Sequence, residues 1–216
     1  MSSLMKLFKK ESSNLPQNNA DKLSAIKNDL EKKGYIRQSA GSVARGVCYV
    51  LFDYSESMKG EKIGQAKAGA KSFVSEAVKK GYEAGLIKFS TSAELVCNAT
   101  KKISALSSII DGLSVDESTN LAEAIRIARK ELSDEFGPRA IVIITDGKPN
   151  SKEAAFAEAA LAKKAGIDVL TIGTDGADEK FLRQIATRED LAAYSPAIGA
   201  FAKNIALASQ KLPLLA

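Results

Sequence analysis

From residue 46 onward the chain switches repeatedly between two hydrophobic patterns. GVCYVLFD at 46–53 and RAIVIITD at 139–146 are continuous apolar runs, each ending in aspartate. Such runs predict strands buried on both faces, as in a parallel sheet. Between them, Ile63, Ala66, Ala70, Phe73 and Ala77 recur at helical spacing after Gly60, which predicts an amphipathic helix. Further strands are expected at Ala84 to Phe89, at IDVLTIG, and weakly at Leu191 to Tyr194, with a short edge strand at Ala93 to Cys97. Helices are expected near Ile103 to Leu113, from Leu121 to Leu132, Lys152 to Ala165, Asp178 to Thr187, and Ala197 to about Lys211, where Pro213 ends the last. Strands alternating with helices of this length imply right-handed crossovers and a doubly wound α/β fold. Its central sheet should be mostly parallel and covered by helices on both faces.

The chain before residue 46 reads differently. Residues 9–20 (KKESSNLPQNNA) are polar without a period and read as a flexible arm. Asp21 to Gly34 predicts a short helix with Leu23, Ile26 and Leu30 on one face. The expected organisation is a basic arm with a short helix at 1–45, one domain at 46–211 and a tail at 212–216. A length of 216 residues suits one core of ordinary size.

Charge sharpens that division. Residues 1–45 carry 9 Lys/Arg against 4 Asp/Glu, leaving 22 against 22 in the remainder, so the body of the chain is neutral. A nucleic-acid reader concentrates positive charge on a face of its domain, so the case for DNA or RNA rests on the arm alone. No apolar run reaches the roughly 18 residues of a spanning helix, and Met1 to Lys10 lacks the apolar stretch of a secretory signal. The expected compartment is therefore the cytoplasm, without membrane attachment. Cys48 and Cys97 cannot build a disulfide framework and read as buried free thiols. There is no histidine, which removes His-based triads and His ligands and leaves oxygen to hold any metal.

Candidate chemistry collects at the ends of the two buried strands. The first runs into Asp53-Tyr54-Ser55-Glu56-Ser57, a carboxylate followed by two hydroxyls at alternate positions that can converge on one point. Serines in a loop are ordinarily just solvated, and the Asp-x-Ser-x-Ser spacing carries little weight alone. The second strand ends at Thr145-Asp146-Gly147. Open α/β sheets bind ligands in the crevice outside such carboxyl ends. A buried pair of carboxylates repels and needs a counter-charge, for which a cation is the natural solution. Ser118-Thr119-Asn120 stands ahead of the helix at Leu121, where Asn120 and Glu123 can form a capping box that leaves the Thr119 hydroxyl free.

Together these segments resemble the von Willebrand factor type A (VWA) domain with its metal-ion-dependent adhesion site, over about Gly46 to Lys211. Asp53, Ser55 and Ser57 match the family's first motif, Thr119 its threonine loop and Asp146 its final aspartate. Leu121 to Ile125, and Thr145-Asp146-Gly147 with Pro149, fit the same pattern. The resemblance implies a doubly wound, Rossmann-like sheet with one short antiparallel edge strand. It also implies a Mg²⁺-type ion, or Mn²⁺ or Ca²⁺, coordinated by the two serines directly, by Thr119 directly or through water, and by the aspartates often through water. Neutral hydroxyls with distant carboxylates would leave such an ion electrophilic and open to an incoming ligand. In the family that ligand is commonly an Asp or Glu of a partner protein. Glu117-Ser118 departs from the glycines often found before the threonine, while Glu56 and Lys148 read as rim charges.

The function expected from this resemblance is a metal-dependent protein-binding module, not an enzyme. Its bacterial-type intracellular relatives are typically scaffolds beside AAA-type ATPases, chelatase complexes or stress and defence systems. Two other classes compete with it. A phosphohydrolase of the haloacid dehalogenase type would need a second aspartate two positions after the nucleophile, where this chain has Ser55. An adaptor for nucleic acid or membrane would work through the lysines of the N-terminal arm.

Overall fold

The computed structural model describes residues 45–113, 120–147 and 149–215. The arm and helix expected before residue 45 lie outside them. Six strands form one sheet: β1 (Gly46–Asp53), β2 (Tyr82–Phe89), β3 (Ala93–Thr100), β4 (Arg139–Thr145), β5 (Asp168–Thr174) and β6 (Ala192–Ser195). Their order is β3-β2-β1-β4-β5-β6, parallel throughout except for the β2–β3 pair. The α/β, mostly parallel architecture is the one the hydrophobic patterning predicts. The antiparallel edge strand is present too, three residues longer than expected at its carboxyl end.

Among the described residues six α-helices connect and cover the strands: α1 (Glu61–Lys79), α2 (Ile103–Gly112), α3 (Leu121–Glu131), α4 (Lys152–Lys164), α5 (Glu179–Ile185) and α6 (Phe201–Ala208). The last is shorter than its apolar periodicity suggests, because 3-10 turns at Ile198–Ala200 and Ser209–Lys211 flank it. Beyond it the chain stays with the domain: Leu212 is buried, Leu215 packs on the core, and the Leu215 amide donates to the Lys80 carbonyl.

Strand β1 explains the layering. All eight of its residues are buried. Cys48, Val50 and Phe52 face a core shared with α1, α2 and α6, whereas Val47, Tyr49 and Leu51 face one shared with α3, α4 and α5. Each large apolar side chain withdrawn from water this way contributes about 1.5–3 kcal/mol. On the first face α1 approaches α6 closely at Gly69, where a Cβ would stand 2.7 Å from the Ile205 Cβ. Cys97 is only partly buried, in contrast to the expectation of two buried thiols, because β3 is the edge strand and is paired on one side only.

This topology places the two aspartate-ending strands side by side. Connections leave β1 toward β2 on one side and return to β4 on the other, so strand order reverses between β1 and β4. A crevice opens at the carboxyl ends of the strands at such a reversal.

Candidate metal centre

Asp53 is the last residue of β1 and is fully buried. The loop beyond it folds by local rules. The Asp53 Oδ1 accepts from the Ser55 amide at 3.0 Å, the turn an aspartate makes with the backbone two residues on. A 3-10 turn at Glu56–Met58 follows, closed by the Met58 amide on the Ser55 carbonyl and pinned by the buried Met58 side chain. Gly60, at φ 83°, then redirects the chain into α1.

From the neighbouring strand end, the Thr145 hydroxyl donates to Asp53 Oδ2 and accepts from the Gly147 amide at 3.0 Å. Asp146, 1 % exposed, turns into the same crevice. Its Oδ1 accepts from the Ser57 hydroxyl at 2.7 Å, and Ser57 Oγ lies 3.0 Å from Ser55 Oγ. Ser57 itself is at the exposed rim. Four of the five expected site residues, Asp53, Ser55, Ser57 and Asp146, therefore form one hydrogen-bonded cluster. The fifth, Thr119, lies outside the described residues, as do Glu117, Ser118 and Lys148. Asn120, the neighbour of Thr119, is anchored beside β2: its amide donates to the Ser90 carbonyl at 2.5 Å and its Nδ2 to the Thr91 carbonyl at 3.4 Å.

Asn120 caps α3 as expected, accepting from the Glu123 amide at 3.3 Å. The reciprocal half of the capping box is not made. Glu123 pairs with Arg126 instead, and the Asn120 amide is committed to Ser90. Glu56 is exposed, as a rim charge should be.

The electrostatics are those of a carboxylate held against its preference. Burial pushes the Asp53 carboxyl up to about 6; hydrogen bonds from Ser55 and Thr145 oppose the rise, and the charge of Asp146 adds to it. Asp146 has a partner that motif reasoning missed: the Lys62 ammonium, in the first turn of α1, lies 2.5 Å from Asp146 Oδ2 and 2.9 Å from the Asp175 carbonyl. Lys62 is the second residue of the helix that follows the serine loop, nine positions after Asp53, and no local pattern marks it. A lysine in a first helical turn reads as solvated, and only the fold reveals its reach.

The donor set suits a hard cation. Two buried carboxylates supply charge and two serine hydroxyls supply neutral oxygen. With its proton on Asp146, Ser57 accepts from Ser55, which leaves one lone pair of its oxygen for a positive ion. Among the described residues no three Cys, Asp or Glu side chains cluster.

The family model for the von Willebrand factor type A domain matches residues 48–204. This chain belongs to the VWA family. Among solved structures it is similar to the vWF domain of the type V pili tip protein Mfa5 from Porphyromonas gingivalis, with a TM-score of 0.71 and 16 % identity over 80 % of this chain and 96 % of that one. It also resembles an aerotolerance-related membrane protein from Bacteroides fragilis, at TM-score 0.62 and 21 % identity over 77 % of this chain and 99 % of that one. A third neighbour is proximal thread matrix protein 1 from the mussel byssus, solved with a zinc-occupied MIDAS motif, at TM-score 0.64 and 19 % identity. The VWA chain covers 46 % of that longer protein, which covers 78 % of the VWA chain in return. No protein of curated function matches this chain in sequence. At these identities the likenesses establish the fold. No helix among the described residues is long and apolar enough to cross a membrane.

Proposed function

We propose that this VWA domain is a metal-dependent protein-binding module, in which Asp53, Ser55, Ser57, Thr119 and Asp146 hold one divalent cation that receives a carboxylate from a partner protein. The observation that carries the reading is the serine-bridged junction of two buried aspartates, Ser57 to Asp146 at 2.7 Å beside Asp53, at the point where strand order reverses. Mg²⁺ is the expected ion, with Mn²⁺ or Ca²⁺ as substitutes, because the donors are all oxygen and mostly neutral. A zinc-occupied MIDAS in the mussel neighbour supports divalent binding on this fold.

When bound, such an ion offers an electrophilic coordination position to an incoming carboxylate. The chain supplies the rest. Asp53 is fixed by Ser55 and Thr145 so that it can stabilise positive charge without swinging into it, Asp146 is oriented by Ser57, and the Ser57 hydroxyl stands at the exposed rim beside the buried Ser55. No residue stands as a general acid two positions after Asp53, where Ser55 instead donates its amide back to the aspartate. This favours binding over phosphoryl chemistry, in keeping with a family of mostly non-enzymatic adhesion and protein-interaction modules. The partner class that fits is an intracellular assembly component such as an AAA-type ATPase or a stress or defence protein, with the cytoplasm as the compartment.

The test is capture of partners from the native host's extract in Mg²⁺ and in EDTA, followed by affinity measurements on one identified partner. Retention in Mg²⁺, loss in EDTA and loss on changing one partner Asp or Glu to its amide is the expected result. Binding that survives EDTA, tolerates every such amide change and disappears on removing residues 1–45 would assign recognition to the N-terminal arm.

A further inference from the structure

We propose that Lys62 is the built-in counter-cation of this site: it holds the outer oxygen of Asp146 and, by staying there when a divalent ion binds, keeps the site's metal affinity low. The inference rests on the metal-binding reading above and concerns a residue outside the five-residue motif.

The two oxygens of Asp146 have different neighbours. Oδ1 faces the serines and accepts from Ser57 at 2.7 Å; Oδ2 faces the Lys62 ammonium at 2.5 Å. Lys62 is therefore on the far side of the carboxylate from the hydroxyls that would hold an ion. Its position is over-determined. The Met58 anchor and the turn at Gly60 set where α1 begins, one residue before Lys62. A second bond to the Asp175 carbonyl at 2.9 Å holds the ammonium from the β5–α5 loop. That loop is pressed against the same strand end at Gly176, φ 96°, where a Cβ would come within 2.7 Å of the Asp146 carbonyl oxygen. The side chain of Lys62 is 18 % exposed, so the pair is shielded from solvent far more than an ordinary surface ion pair.

Two consequences follow from charge alone. Removing the ammonium leaves a buried carboxylate uncompensated beside another buried carboxylate, which destabilises the fold when no divalent ion is present. The same removal takes a positive charge from the immediate surroundings of an incoming cation. At such short range a unit charge changes divalent affinity by about an order of magnitude or more even at an effective dielectric near 20. Loss of one outer-sphere contact usually acts in the opposite direction. Here Ser57 still orients Asp146 through Oδ1, so the charge effect prevails.

The experiment uses the full chain as wild type, Lys62→Met, Lys62→Arg, Asp146→Asn and the Lys62→Met/Asp146→Asn double variant. Titration calorimetry with Mg²⁺ and Mn²⁺ should show Lys62→Met binding about tenfold tighter than wild type, with Lys62→Arg close to wild type. Thermal unfolding in EDTA should show a lowered melting temperature for Lys62→Met, and almost no further loss when Lys62→Met is added to Asp146→Asn. Unchanged or weaker metal binding by Lys62→Met overturns the inference, as does an additive double-variant cycle in EDTA. Absence of metal binding in wild type and both Lys62 variants would reject the metal site itself and with it the control of affinity. The EDTA cycle would still read the Lys62–Asp146 pairing on its own. Metal binding by Lys62→Met alone would support the counter-cation role in its strongest form.

Discussion

Two polar clusters lie at the carboxyl edge of the same sheet, and they are built on opposite principles. At the end of β5 and β6, the buried Thr174 hydroxyl donates to the Ser195 carbonyl at 2.8 Å, and the Ser195 hydroxyl donates to the Ala197 carbonyl at 3.0 Å. Those groups are neutral and satisfied by backbone, so the cluster simply closes the sheet. At the end of β1 and β4, two carboxylates are buried instead, one with its protonation equilibrium lifted and the other leaning on a lysine. Burial of neutral hydroxyls is inexpensive once they are bonded, whereas buried negative charge requires compensation. The first cluster is finished as it stands, and the second keeps a demand for positive charge.

The sharpest way to break this contrast is to remove one group from each cluster and read the metal response. Saturating Mg²⁺, at about 100 times the dissociation constant, stabilises a binding-competent protein by about 2.7 kcal/mol. For a domain of this size that is a rise in Tm of roughly 5–10 °C. Asp146→Ala should abolish the rise. Thr174→Val should lower the basal Tm through the unpaired Ser195 carbonyl, at about 1–2 kcal/mol, and leave the metal-induced increment intact. Equal increments in wild type and Asp146→Ala, by differential scanning fluorimetry, would remove the distinction between the clusters.

A pH series gives a smaller effect with a defined sign. Folding lifts Asp53 from 3.8 to about 6, chiefly by burial, so the folded state holds that proton more tightly than the unfolded chain. The stabilising contribution is complete below about pH 4 and is lost as pH rises through about 6, and it is worth at most about 3 kcal/mol. In EDTA, therefore, wild type should lose more stability between pH 4.5 and 7.5 than Asp53→Asn does. With Mg²⁺ the order reverses, since the ionised form is the one that favours a cation, and the metal-induced rise should be larger at the higher pH. Denaturant melts of both proteins at each pH, with and without Mg²⁺, supply the comparison; parallel curves for wild type and Asp53→Asn would contradict it.

The smallest effect concerns the interior against the edge of the sheet. Cys48 sits in the central strand with its thiol pushed up to about 12 by burial, while Cys97 is on edge strand β3 and only partly covered. A thiol-reactive probe should label the native protein once, at Cys97, with Cys48 reacting only after unfolding. Mass spectrometry of peptides reads the site directly, and native labelling at Cys48 would show that β1 opens more readily than its burial implies.

What was legible in the sequence follows from the range of the interactions involved. The apolar runs of β1 and β4 mark themselves as doubly buried strands, and the helices show their faces through spacings of three and four residues, because these patterns are local. The serine loop is local too: Asp53, Ser55 and Met58 close their own turns within six residues. So the sequence by itself determined the fold class and the membership of Asp53, Ser55, Ser57 and Asp146 in one candidate site. Tertiary structure decided what those groups meet. Strand order reverses between β1 and β4, which joins Ser57 to Asp146 across 89 positions of sequence. Lys62 reaches Asp146 across 84 positions, and nothing in a first-turn lysine announces that its ammonium will be held by a β4 carboxylate and a β5–α5 carbonyl. The Asn120 amide was equally hidden, taken by Ser90 rather than by the capping partner its own sequence offers. Local hydrogen bonds and hydrophobic periodicity can be read along a chain, but the pairing of charges depends on which strand ends become neighbours, and packing alone sets that.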